Sequence, residues 1–161
     1  MASGEVGRRS SKAIARGALV FVDGFAALSA LFGGLELETG WPYQFPATML
    51  EGTPFSDFVV PGLILGLLVG GSAAIATVET VRSASVGAAW SLVAGFIMAG
   101  WITGEVLLLD FIGNAGHNLS AYFWLQPFYF VVGVAMVALA ITMAPAGWRG
   151  IVRTTAGRLS L

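Results

Sequence analysis

Cysteine is absent from this chain of 161 residues, and histidine occurs once, as His117. The first absence removes disulfides, thiolate metal sites and thiol redox chemistry together. The second excludes a bis-histidine haem and leaves a zinc site short of ligands. Charge is scarce as well. Asp, Glu, Lys and Arg make up 11% of the residues, where a soluble domain carries about 25%. No basic stretch is interleaved with aromatics, so nucleic acid is not an expected partner. No glycine-rich strand–helix unit offers a phosphate cradle. No nucleophile–base–acid set surrounds the serines or His117. Neither a resident metal or cofactor nor catalysis is expected. Asn118-Leu119-Ser120 is read as a chance sequon.

What is present is hydrocarbon. Hydrophobic residues make up 57% of the chain, and mean hydropathy is +0.83. Four apolar runs stand out, at 15–37, 58–79, 86–109 and 122–144. Each is close to the ~20 apolar residues that cross ~30 Å of hydrocarbon. A backbone in lipid must satisfy its own hydrogen bonds, so the runs are expected to be helices. The expected fold is all-α, a four-transmembrane-helix bundle at 15–145, between a flexible cytoplasmic tail at 1–14 and a basic cytoplasmic tail at 146–161. Pro145-Ala146-Gly147 stops the last helix.

The basic residues orient this bundle. Arg8, Arg9, Lys12 and Arg16 precede the first run, Arg82 lies between the second and third, and Arg149, Arg153 and Arg158 follow the fourth. The two other connections carry no Lys or Arg, and the first holds Glu36, Glu38, Glu51 and Asp57. Short loops rich in Lys and Arg stay cytoplasmic, which predicts both termini inside a bacterial plasma membrane. Arg8-Arg9 lacks the apolar pair of a twin-arginine export signal, and the run after it is long for a signal h-region, so the first helix is expected to be retained. Trp148, Arg149 and Arg153 are expected to rest on anionic headgroups.

Small residues predict how the helices pack. The third run carries Gly87, Ser91, Gly95, Ala99 and Thr103 at four-residue spacing, widened by Gly100 and Gly104. The second run offers Gly66 and Gly70, with Ser72 and Ala76. Such grooves let a neighbouring backbone approach closely, either within the chain or in a homo-oligomer. The tight turn around Arg82 makes the second and third helices antiparallel neighbours.

The long first connection mixes aromatics and prolines in Trp41-Pro42-Tyr43-Gln44-Phe45-Pro46. Trp and Tyr favour the membrane interface. Thr53 is expected to cap a short surface helix with Pro54 at its first position, which bends at Pro61 into the second transmembrane helix. Trp41, Tyr43, Phe45, Pro54 and Pro61 thus form a candidate outer cap, either a structural lid or the roof of a pocket.

Two carboxylates interrupt the apolar runs, and such residues are functional candidates by default. Asp23 lies roughly 10 Å beyond Arg16, and Glu105 roughly 8 Å from the far end of the third run. They sit roughly 12 Å apart in depth, so they are not expected to pair. Asp23 is expected to meet Arg82 across the cytoplasmic turn, or Ser and Thr hydroxyls. Glu79 and Arg82 are spaced to pair with each other. The candidate partners of Glu105 are Gln126, Tyr129, Asn114 and His117. His117 itself reads as a solvated loop residue.

Residues 50–62, Leu-Glu-Gly-Thr-Pro-Phe-Ser-Asp-Phe-Val-Val-Pro-Gly, lead on to Gly70-Gly71. Together with Gly100-Trp101-Ile102-Thr103-Gly104-Glu105, Leu125-Gln126-Pro127-Phe128-Tyr129-Phe130 and Gly133 they resemble a family of small four-helix membrane proteins predicted in actinobacteria and related bacteria. The resemblance covers residues of about 18–142. It implies the same topology and carries no assigned activity. Members of that family often look to carry Gln where this chain has Glu105, which weakens any mechanism that needs a titratable group there. The small multidrug resistance family is not matched, because its essential Glu lies in the first helix, where this chain has Asp23.

Three functions fit these features. The first is a non-catalytic multi-pass protein, a subunit or accessory of a membrane assembly. The second is a small oligomeric proton-coupled transporter using Glu105. The third is a lipid-binding protein with a pocket under the 41–61 cap, from which Trp41→Ala would release a copurifying lipid. The expected surroundings are the lipid bilayer, with a membrane-protein partner or further copies of the chain.

Overall fold

The computed structural model describes residues 2–108 and 124–143, with side chains from Ser10 onward. The connection holding Asp110, Asn114 and His117, and the C-terminal segment holding Trp148, Arg149 and Arg153, lie outside the described residues. Among the described residues all regular structure is helical.

α1 spans Ala2–Thr39. It reaches further in both directions than the expected 15–37. No proline interrupts residues 2–39, and Ala, Glu, Arg and Lys in its first turns are strong helix formers. At 1.5 Å per residue the helix is about 57 Å long, nearly twice the hydrocarbon thickness. Gly40, with φ +67°, closes it, and its N–H donates to the Glu36 carbonyl at 2.8 Å. This left-handed glycine cap is why the helix stops at Thr39.

The connection that follows contains one 3₁₀ turn, Ala47–Leu50, which buries Met49 and Leu50. No helix starts at Pro54. The Thr53 hydroxyl donates to the Leu50 carbonyl (2.7 Å) and accepts from the Phe55 N–H (3.3 Å), making a local turn. The second helix starts after Phe58, and its first N–H, that of Val59, donates to Asp57 Oδ1 at 3.1 Å.

α2 runs Val59–Arg82 without a break. Pro61 is its third residue, where the first-turn N–H has no helical partner in any case, so the expected bend at Pro61 does not arise. The irregularity lies deeper, as a π-helical stretch Ile64–Gly70. A four-residue step in α winding overshoots one turn by about 40°. The wider π turn takes up that overshoot, so Gly62, Gly66 and Gly70 stay on one face.

That face meets α1 rather than the third helix. A Cβ on Gly34 of α1 would lie 2.6 Å from the Gly66 backbone, one on Gly62 would lie 2.8 Å from the Gly34 carbonyl, and one on Gly70 would lie 2.9 Å from the Leu31 nitrogen. Gly66 and Gly70 thus pack within the chain, on α1 rather than on the antiparallel neighbour that the tight turn provides.

Ser83 alone, in extended conformation, joins α2 to α3, which spans Ala84–Val106. α4 spans Leu125–Met143. The expected single groove on α3 divides between two neighbours. Gly87 backs onto Thr80 of α2, while Gly95 faces Gly133 of α4, where a Cβ would lie 2.7 Å from the Gly133 carbonyl. Among the described residues Gly100 and Gly104 widen no packed groove, since a Cβ on either meets none of them within 4 Å.

The helices form a ring in chain order. α1 packs on α2 and α4, and α3 packs on the same two, with little contact between α1 and α3. Alanines from α1, α2 and α3 line the centre, filled by Met98 and Met136. Outside, Phe21 and Leu28 of α1 are each 74% exposed, and Leu67, Phe96 and Val131 expose similar apolar surface on the other three helices. Helices apolar on every side need an apolar solvent. All four are long and apolar enough to cross a membrane.

Candidate functional site

Two regions inside the bundle hold polar side chains, at different depths. The deeper one surrounds Asp23, which has no solvent exposure. The Ser91 hydroxyl from α3 lies 2.5 Å from Asp23 Oδ2 and 2.9 Å from the Gly87 carbonyl of its own helix. Thr80 of α2 places its hydroxyl 3.5 Å from that of Ser91. A serine has one hydroxyl hydrogen, so it serves one of its two acceptors at a time. Asp23 Oδ1 has no hydrogen-bond partner among the described residues. The cluster ties α1, α2 and α3 together at one level. The glycine at position 87 lets α2 come close enough for it.

Arg82 is not part of this cluster. It pairs with Glu79 at 3.3 Å near the surface, as the three-residue spacing predicts. Of the two expected partnerships of Asp23, the structure has the hydroxyl one. The arginine that binds across helices is Arg16, which sequence reasoning missed. Its Nε donates to the Thr80 carbonyl at 2.9 Å and its Nη2 to the Val81 carbonyl at 2.7 Å. These are carbonyls of the last turn of α2, which no intrahelical N–H satisfies. A cation there also meets the negative end of the helix dipole. The available signal was the position of Arg16 at the same end of the bundle as the α2 terminus.

The second region is a cavity of about 350 Å³ at the opposite end, under the 40–58 connection. α1 lines it with Ser29, Phe32 and Glu36, α2 with Leu65, and α3 with Met98, Ile102 and Glu105. α4 contributes Leu125, Gln126 and Tyr129. The roof is Phe45, Met49 and Phe58, with the rings of Phe45 and Phe58 packed at 5.9 Å. Tyr129 is stacked on Phe25 of α1 at 6.3 Å, which helps fix its ring at the α1–α4 seam.

Glu105, Gln126 and Tyr129, singled out in the sequence, therefore line one cavity. Asp23 lines neither this cavity nor the smaller one beside it, and it does not meet Glu105. The smaller cavity, about 80 Å³, shares Leu37, Phe58, Leu65 and Glu105 with the larger and adds Pro61 and Trp101. The Trp101 Nε1 is buried without an acceptor among the described residues.

The cap residues separate in role. Phe45 lines the larger cavity and Pro61 the smaller. Tyr43 packs edge-on against Phe45 at 5.3 Å without lining either. Trp41 is 69% exposed and Pro54 is also exposed. Met49, Phe58 and Glu36 complete the site and were not foreseen, because only the folded course of the connection brings them over it. Among the described residues no three His, Cys, Asp or Glu side chains converge to hold a metal.

No protein-family model, curated protein or solved structure matches this chain.

Proposed function

We propose that this chain is a multi-pass protein of a bacterial plasma membrane that binds an amphiphile in the cavity beneath its 40–58 connection. Both termini are cytoplasmic in this reading, because Arg16 and Arg82 lie at one end of the bundle and the acidic connection at the other. The carrying observation is the cavity itself, walled by all four helices and roofed by Phe45, Met49 and Phe58. Its volume of about 350 Å³ is at the small end of the ~300–1,000 Å³ range of ligand sites. It suits one hydrocarbon chain with a small head rather than a two-chain lipid. The walls are apolar, with a few polar groups, the usual make-up of such sites.

The reading is of a binding protein rather than an enzyme. Ser29, the serine in the lining, donates to the Phe25 carbonyl in its own helix at 2.8 Å rather than to a base. An accessory role in a membrane assembly draws on composition alone, and the cavity takes precedence over it. The resemblance to small four-helix actinobacterial-type proteins supports the topology and adds no activity.

The test is release of the protein from its membrane in a mild neutral detergent, followed by native mass spectrometry. A bound small amphiphile is expected, lost when Leu125→Trp fills the cavity from the α4 side. Trp41→Ala, which the sequence alone suggested as the disabling change, should retain it, since Trp41 does not line the cavity. Equal occupancy of wild type and Leu125→Trp would contradict the proposal.

A further inference from the structure

We infer that the ligand of this cavity is a single-chain amphiphile with a cationic ammonium head. The inference rests on the binding reading above and specifies its chemistry. Two carboxylates, Glu36 on α1 and Glu105 on α3, line the cavity from facing sides of the ring of helices. The sequence has no Lys or Arg between Arg16 and Arg82, nor between Arg82 and Arg149. Every Lys and Arg that the structure describes lies at the opposite end of the bundle. Glu38, Glu51 and Asp57 add negative charge to the same end as the cavity. An anionic head would enter against this field, whereas a cation would be drawn in by it.

The rest of the lining suits the same head. Three aromatic residues, Phe45, Phe58 and Tyr129, line the cavity, and aromatic rings attract ammonium groups, most strongly when water is excluded. The tail does not select the ligand. In a bilayer the competing solvent is itself hydrocarbon, so burying a chain between helices gains only packing contacts, and these are the same for every head group. Discrimination must come from the head, where charges attract more strongly in a low-dielectric cavity than in water. Gln126 adds an amide that can orient a head without changing the sign of the site.

The experiment uses the full chain in nanodiscs of neutral phosphatidylcholine. Dodecyltrimethylammonium, dodecanol and dodecanoate are titrated calorimetrically, with empty nanodiscs as the blank. Wild type is expected to bind the ammonium at least about tenfold more tightly than the alcohol, and dodecanoate most weakly. Glu36→Gln with Glu105→Gln should bring ammonium and alcohol together while alcohol binding persists, which shows that the variant is folded. Glu51→Gln, which alters a carboxylate outside the cavity, should leave the preference in place.

Equal binding of ammonium and alcohol by wild type would overturn the inference. So would a preference that survives the double substitution. In both cases, binding of the alcohol that is lost in Leu125→Trp would leave the cavity reading standing. Binding of none of the three probes would remove the cavity reading and this inference with it.

Discussion

Replacing Ser91 with Ala removes the one hydrogen bond that the structure gives the Asp23 carboxyl. Two magnitudes compete in setting the cost. An interhelical hydrogen bond in a membrane protein contributes about 0.6 kcal/mol on average, and at most about 1.7 kcal/mol. Leaving a buried polar group without a partner costs more, about 1–3 kcal/mol. Asp23 has no solvent exposure, and its other oxygen already lacks a partner among the described residues. Water cannot replace Ser91 without opening the packing of α1, α2 and α3. The stranded carboxyl therefore dominates, and Ser91→Ala should destabilise the bundle by about 1–3 kcal/mol. Removing both polar partners should cost less, because replacing a buried pair by apolar groups of similar shape is close to neutral. Asp23→Leu combined with Ser91→Ala is thus expected to be more stable than Ser91→Ala alone. The assay is reversible unfolding of each variant in one neutral detergent, analysed as a double-mutant cycle. A Ser91→Ala variant as stable as wild type would refute the reasoning. A double variant whose losses simply add would refute it equally.

Other outcomes can be checked in the same unfolding assay. Gly34→Ala should destabilise, since its Cβ would meet the Gly66 backbone at 2.6 Å, whereas Gly100→Ala, with no described residue within 4 Å, should be neutral or gain up to about 1 kcal/mol from helix propensity. Arg16→Met should cost about 1–2 kcal/mol by uncapping the last turn of α2. Glu79→Gln should move stability by no more than about 0.5 kcal/mol, because its pairing with Arg82 is an exposed one within a single helix. Asp57→Ala should cost about 1 kcal/mol through loss of its hydrogen bond to the first N–H of α2, while Thr53→Val should leave that bond intact.

The existence of four apolar helices is legible in the sequence because lipid demands long uninterrupted runs. Their ends are less legible. Gly40 closes α1 through its positive φ, and Asp57 rather than Thr53 bonds the first N–H of α2. Both Thr and Asp are good caps, and only the path of the chain decides which one reaches a free N–H. The glycines announced close packing but not the partner. A four-residue spacing marks a face without saying which neighbour it meets, and the π stretch at Ile64–Gly70 turns that face toward α1. Asp23 was recognisable as buried from its place in an apolar run. Its choice of Ser91 over Arg82 depends on the depth at which Gly87 lets α2 approach.

The candidate site was half visible for a similar reason. Glu105, Gln126 and Tyr129 lie on α3 and α4 at the same depth, so their convergence follows from helix rise and antiparallel packing. Phe58 and Met49 reach the cavity through a 3₁₀ turn and a short irregular connection. No periodicity describes such a path. Glu36 looked like an ordinary residue of an acidic loop because α1 was expected to end near it. Held on α1 before the Gly40 stop and beneath the 40–58 connection, it is a wall residue of the cavity.

The most direct test is a crystal structure of the protein grown in a lipidic mesophase. Elongated density is expected between Phe58, Met98 and Tyr129, with its polar end near Glu36 and Glu105. A bundle whose side chains close over this space, leaving no cavity beneath Phe45 and Phe58, would contradict the account.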